Sequence, residues 1–263
     1  MILVTGATGT TGSALVDELL ARGAEVTAVT RDARRIEPRP GLTVTTTIVP
    51  AEALYLLAPA GPGVPGHDLA TLRAARSAGI RRVVKLSAIG TPDEPSDRPG
   101  SWHQPGEQAV RDSGLEWTIL RPTTFATNSL WWAADIRAGR PITNLFGEGP
   151  QGIIDPADIA AVAAEALTTS EHNGRTYTLT GPELLTVPDQ VAQLGSALGR
   201  TLTTVDAEPG VSHFPREIAE AALAGAQLVR RGGNAIITDD VELVLGREPG
   251  TYAAWAETNR NRF

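Results

Sequence analysis

The chain has 263 residues, a formal net charge of -7, 41% hydrophobic residues, four histidines and no cysteine. This length supports one large domain, or an α/β domain carrying a smaller lobe. The composition excludes disulfides, a thiol nucleophile and cysteine-ligated metal, and no apolar run reaches the roughly eighteen residues that cross a bilayer. The scattered histidines have no metal-ligand spacing, and the acidic balance argues against a general affinity for nucleic acid. "MILVTG" enters strand-like sequence directly, without a charged n-region, so a cytoplasmic location with no membrane partner is expected.

In chain order, residues 2–5 form a predicted strand, and residues 9–22 a helix that turns Ala14, Leu15, Leu19 and Leu20 to a core and stops at Gly23. Strand signals recur at residues 25–30, 53–57, 82–86 and 116–120, with helices at 68–78 and 105–113. Such alternation predicts a parallel α/β sheet covered on both faces. Residues 32–52 do not fit a regular version of it. If 42–49 were the third strand, three residues would remain for a crossover spanning about three strand spacings, which they cannot do. The third crossover helix is therefore expected to be absent, with 42–49 an edge strand of altered geometry or an extended crossover. After Gly147 the texture turns helical. "DPADIAAVAAEAL" has Asp155 as N-cap, Pro156 at the first helical position and Asp158 in the first turn, with Ile159, Val162, Ala163, Ala166 and Leu167 on one face. A strand ("RTYTLTG"), a helix ("VPDQVAQLGSALG"), another strand ("TLTTVDAE") and two or three helices follow, with a C-cap at Gly246. A division into residues 1–150 and 151–263 follows, as parts of one compact unit.

"GATGTTG" lies between the first strand and the first helix. In that context Gly6 permits the tight turn, Gly9 lets the backbone approach phosphate, and Gly12 allows close helix packing, while Thr8, Thr10 and Thr11 add hydroxyls. The alternative is a glycine-rich turn without a ligand. After the second strand, "VTRDARR" places Arg31 where a dinucleotide fold selects its cofactor, with Arg34 and Arg35 behind it. Arginine there favours NADP(H); Asp32 keeps open the reading of a solvated basic turn. The turn-rich "APAGPGVPGH" follows a central strand end, where α/β proteins bind ligands.

In order along the chain, "ILVTGATGTTGSALVDELLARG", "VTAVTRD", "LYLLAP", "VVKLSAIG", "SGLEWTILRPTTFATN", "DPADIAAVAAEAL" and "TYTLTGPE" resemble the atypical short-chain dehydrogenase/reductases of the NmrA-like group. The resemblance implies a Rossmann-type doubly wound parallel sheet, with an NADP-binding domain and a smaller C-terminal substrate lobe. The truncated third crossover departs from that pattern. The resemblance also implies cofactor contacts from Ala58 and Pro59, and from Pro122, Thr123 and Phe125 in the loop bordering the nicotinamide. The usual tyrosine with a lysine four residues on is missing, because Lys85 is the single lysine and no tyrosine precedes it at that offset. Ser87 keeps the serine position. His103, with Glu107, stands about where the lysine would be; it is a proton donor or shuttle, a ribose ligand, or a solvent-facing residue at a helix start. Lys85 shares a strand face with Ser87 and meets cofactor or substrate, or simply reaches water.

Trp102, Phe125, Trp131, Trp132 and Phe214 are candidates to face a flat ligand or to fill the core. The resulting expectation is an NADPH-dependent ketoreductase or quinone reductase. It passes hydride to a polycyclic aromatic substrate of the kind found in antibiotic biosynthesis, with the substrate managing its own charge, as a monomer or homodimer. The competing expectation is a non-catalytic NADP(H)-sensing regulator.

Overall fold

The computed structural model describes residues 1–96 and 101–263. In chain order the elements are β1 (Ile2–Thr5), α1 (Thr10–Ala21), β2 (Val26–Val29), β3 (Leu42–Thr45), β4 (Ala53–Leu56), α2 (Val64–Ser77), β5 (Arg82–Leu86), α3 (Gln104–Arg111) and β6 (Glu116–Pro122). They continue as α4 (Ala133–Arg137), β7 (Ile142–Asn144), β8 (Gln151–Gly152), α5 (Pro156–Thr168), β9 (Arg175–Leu179), β10 (Leu184–Leu185), α6 (Val187–Leu198), β11 (Thr204–Asp206), α7 (Ala219–Arg230), α8 (Asp240–Leu245) and α9 (Tyr252–Asn259). No helix among the described residues is long and apolar enough to cross a membrane.

Seven strands form one sheet in the order β3-β2-β1-β4-β5-β6-β9, with parallel pairing from β3 to β6. This is the doubly wound arrangement expected from the alternating pattern, and its third crossover is truncated. β3 is shorter than residues 42–49 and ordinary in geometry, pairing Leu42 to Val26 through Thr45 to Val29. Because it ends at Thr45, residues 46–52 remain for the return to β4. Seven extended residues span roughly 23 Å, enough for the roughly 14 Å across three strand spacings. The helix of the preceding connection is also reduced, to the single 3-10 turn Ala33–Arg35.

Contacts group the chain into two units: residues 1–122 with 159–178, and residues 123–158 with 179–263. A single cut at residue 150 does not describe this grouping, because the chain leaves the first unit after β6 and returns to it through α5. In the first unit, Leu3, Leu54, Leu56, Val83 and Ile119 form a buried cluster with Leu72 and Ala75 of α2 and Val110 of α3. Leu15, Val16 and Leu19 of α1 are buried, as are Ile159, Val162, Ala163, Ala166 and Leu167 of α5. Asp155 caps α5, its carboxylate accepting the Ala157 N–H at 2.8 Å. α2 starts four residues before the predicted Asp68. Pro65 sits in the first turn, where its missing N–H costs nothing, so part of the turn-rich segment is helical.

The second unit contains the antiparallel pair β8-β10 and the parallel pair β7-β11. Its core joins Ile136, Ile142 and Ile153 to Val191 and Leu194 of α6 and Tyr252 and Trp255 of α9. Thr186 and Asp189 close a capping box on α6, and Gly246 ends α8 in the left-handed conformation.

The first unit also buries a charge pair. Val83, Lys85 and Ser87 follow one another on the face of the sheet covered by α2 and α3. Lys85 is fully buried and its Nζ lies 2.5 Å from Asp68 Oδ2 on α2. Lys85 therefore does not reach water from its strand end. A buried ammonium stripped of its partner typically costs about 3–5 kcal/mol. Asp68→Leu is expected to lower the unfolding free energy by about that amount in urea titrations. The double substitution Asp68→Leu with Lys85→Met should recover most of the loss. A single substitution within about 0.5 kcal/mol of the parent would contradict a stabilising pair.

Candidate functional site

The parallel sheet brings the carboxyl ends of β1, β4, β5 and β6 to one edge, with Thr5 beside Val29, Leu56 beside Lys85 and Leu86 beside Leu120. Thr5 ties two of these ends together, its hydroxyl accepting the Leu57 N–H at 2.8 Å and donating to the Tyr55 carbonyl at 2.9 Å. The glycine loop follows immediately. Gly6 has φ of 64°, and a Cβ there would press on the Leu57 side chain. A Cβ on Gly12 would overlap the Gly6 carbonyl, so α1 can start this close to the strand only with glycine at position 12. No side chain caps α1, so the first-turn N–H groups of Thr10, Thr11 and Gly12 have no partner within the helix. This cradle fits a pyrophosphate. Thr8 and Thr10 line it from exposed or half-buried positions, while Thr11 is buried; Ala58 is buried and Pro59 exposed at the neighbouring end of β4.

Beyond β2, Asp32 is already neutralised. Its carboxylate accepts Arg34 Nε at 2.9 Å and Nη2 at 3.0 Å, together with the Arg34 backbone N–H. Arg31 and Arg35 are exposed and take part in no ion pair among the described residues. The basic turn thus holds two uncommitted guanidinium groups, and its acid faces inward to its own loop.

Under the end of β5 lies a dense polar cluster. Glu107 of α3 is fully buried. Arg121 grips it bidentately, with Nε to Oε1 at 2.9 Å and Nη2 to Oε2 at 2.7 Å, and Arg111 adds a contact at 2.9 Å. Ser87 donates its hydroxyl to Glu107 Oε1 at 2.5 Å. Burial alone would raise the Glu107 carboxyl, but the Arg121 and Ser87 hydrogen bonds outweigh it and hold the group below the usual carboxylate range. Asp68 behaves alike: burial opposes its charge, and the hydrogen bond with His67, at 3.1 Å, together with Lys85 reverses the balance. α3 approaches this closely because position 106 is glycine, where a Cβ would overlap the Asp68 carboxylate.

His103 precedes α3, and its Nδ1 is buried without a hydrogen-bond partner among the described residues. Burial, reinforced by the nearby Lys85 charge, pushes the imidazole down to about 4. An imidazole so placed does not titrate near working pH, contrary to the expectation from its ordinary value. The H-x-x-x-E spacing does not join His103 to Glu107 by a hydrogen bond, since that carboxylate serves Ser87 and the two arginines. Asp68, Arg111 and Arg121 have no motif of their own. The signal for them was the alternation that buries Lys85 and Ser87 on one strand face and so demands partners.

Pro122 ends β6, its carbonyl accepting the Ile89 N–H at 3.0 Å. In the second unit, the Thr123 hydroxyl is committed to the Gly152 carbonyl and Phe125 bridges to Ile154. Trp132 packs against that unit's core, Trp131 is 71% exposed, and Trp102 and Phe214 are half-buried.

The family model described as NAD(P)H-binding matches residues 6–55 and 57–170. A Streptomyces griseus (4-alkanoyl-5-oxo-2,5-dihydrofuran-3-yl)methyl phosphate reductase is 36% identical, across 100% of this chain and 99% of its own length. An NAD(P)H azoreductase from Xenophilus azovorans is 30% identical, with coverage of 100% and 99%. In fold, the chain matches an Escherichia coli NADPH-dependent quinone oxidoreductase solved with NADPH at a TM-score of 0.85 and 22% identity, covering 99% of this chain and 100% of that one. A Citrobacter triphenylmethane reductase solved with NADP(H) matches at 0.80 and 19%, with both chains fully covered. The glycine cradle, the sheet order and these end-to-end matches agree, and the chain belongs to the NAD(P)H-binding family as an oxidoreductase of the NmrA-like group of atypical short-chain dehydrogenase/reductases.

Proposed function

We propose that this chain is an NADPH-dependent reductase that delivers hydride to a carbonyl or quinone of a polycyclic aromatic, polyketide-like substrate, and that the substrate itself bears the negative charge that develops. The observation that carries this reading is an inventory of protons. Around the end of β5, the Ser87 proton is given to Glu107, the Lys85 ammonium is closed against Asp68, and His103 is neutral. No tyrosine stands where the family's acid would be. These residues hold, orient and polarise, and on this reading the described residues around the end of β5 include no free acid.

NADPH, when bound, supplies the hydride. Gly6, Gly9 and Gly12 and the first turn of α1 hold its pyrophosphate, and Arg31 and Arg35 take the 2′-phosphate. In the first unit, Ser87, His103 and Pro122 border the nicotinamide end. Without a protein acid, a reducible acceptor must delocalise the incoming electron pair. Quinones do so, and an aromatic ketone with an adjacent phenol hydrogen-bonds its own forming alkoxide. The reductions named for the relatives share this property, since an azo bond, a quinone and an unsaturated lactone each spread that charge.

NADPH oxidation followed by absorbance, over a panel of quinones and hydroxylated polycyclic ketones, tests the reading. Turnover with at least one acceptor is expected, whereas tight NADPH binding with none would turn the assignment to a sensor of the dinucleotide. Arg31→Ala should raise the KM for NADPH about 10- to 100-fold and leave that for NADH nearly unchanged, the loss of a charge-assisted contact to phosphate.

His103 predicts a pH effect of defined sign. Its native value of about 4 lies below the unfolded value near 6.5, so the unfolded chain binds more protons between them. Stability should fall as pH drops from about 6.5 towards 4 and be indifferent to this group above that window. In His103→Asn the slope of unfolding free energy against pH over that interval should flatten, as measured by urea titrations at several pH values.

A further inference from the structure

Ser87 occupies the position where a short-chain dehydrogenase uses a serine hydroxyl to donate to the substrate oxygen. Its surroundings here remove that proton. A hydroxyl has one proton and two lone pairs, and an ionised carboxylate offers about four acceptor positions. The four positions of Glu107 are all taken: Oε1 by Ser87 and Arg121 Nε, Oε2 by Arg121 Nη2 and Arg111. With Glu107 saturated by cations it carries no proton to give back, so in the contact at 2.5 Å Ser87 is the donor. Thr91 lies 3.2 Å from the Ser87 oxygen, and its own proton goes to the Ala88 carbonyl at 2.8 Å. The polar neighbours of Ser87 in the cluster therefore leave it with lone pairs only.

From this geometry we infer that Ser87 acts as a hydrogen-bond acceptor, taking a hydroxyl proton from a bound ligand, and that Glu107, clamped by Arg121 and Arg111, is the positioning residue that sets this direction. Donation to an ionised carboxylate also enriches the Ser87 oxygen and makes it a better acceptor. The chemistry it selects is a ligand hydroxyl at the reacting end of the site, either a ribose hydroxyl of the dinucleotide or a phenolic hydroxyl beside the carbonyl to be reduced. A carbonyl oxygen with no neighbouring hydroxyl gains nothing from Ser87. The inference rests on the reductase assignment for its substrate arm, while its cofactor arm needs binding alone.

The test compares the parent and Ser87→Ala in two measurements, the Kd for NADPH and kcat/KM on a matched pair of aromatic ketones with and without a hydroxyl adjacent to the carbonyl. A loss of roughly fivefold is expected in one arm. It falls on NADPH affinity if the ribose is the donor, or on the hydroxylated ketone alone if the substrate is. Equal losses on both ketones with unchanged NADPH affinity would show Ser87 donating to the carbonyl and overturn the inference. No change in either arm would overturn it too. Glu107→Gln, whose amide can give an N–H to Ser87 and release the serine proton, should narrow whichever preference Ser87→Ala removes. A mere loss of folded protein would lower both ketones in proportion, and an unchanged preference would refute the role of Glu107. If the parent reduces neither ketone, the substrate arm falls while the reductase assignment is left to the quinones of the wider panel, and the NADPH affinities alone decide whether Ser87 is an acceptor.

Discussion

Two carboxylates without solvent exposure, Asp68 and Glu107, set the conditions that the end of β5 must satisfy. An ionised group in a dry environment is tolerable only when cations and hydrogen bonds replace the water it lost. Asp68 finds Lys85 and His67, and Glu107 finds Arg121, Arg111 and Ser87. These partners come from α2, β5, α3 and β6, so neutralising two charges also fixes how four elements meet. Gly106 belongs to the same constraint, since the helices can close over Asp68 only where no Cβ intervenes.

The other end of the sheet edge obeys a steric rule. Gly6 and Gly12 allow α1 to start against the strand it follows, and Thr5 locks β1 to the end of β4 beside them. The reduced connections on either side of β3 leave this cradle unaffected. They leave that side of the sheet with a single 3-10 turn, in and beside which Arg35 and Arg31 are exposed.

These constraints bear on chemistry through where protons reside. In the usual arrangement of the family a tyrosine acid and a lysine cooperate beside a donating serine. Here the single lysine, Lys85, lies in the sheet and is sealed against Asp68, and Ser87 donates its proton to Glu107. The same proton count underlies both the acceptor class proposed above and the polarity inferred for Ser87.

Local signals carried much of the architecture. The alternating strands and helices, the strand-to-helix glycine loop, the Asp155 cap and the stop at Gly246 are each encoded within a few residues, because turn conformation, capping and periodicity are local properties. Chain length between elements sufficed to show that the third crossover had no room for a helix. The true end of β3 at Thr45 was not legible, since residues 46–49 are as apolar and β-branched as a strand and only pairing with β2 decides where it stops. Nor did the pattern reveal the fate of the charged residues. Lys85 and Asp68 are 17 positions apart, Ser87 and Glu107 20, and Arg121 stands 14 beyond Glu107. The sequence by itself determined that Lys85 and Ser87 share a strand face and that a dinucleotide cradle precedes them. Only the tertiary structure decided which carboxylate each of them meets, because burial and ion pairing depend on how separate helices pack over the sheet, which no local spacing encodes.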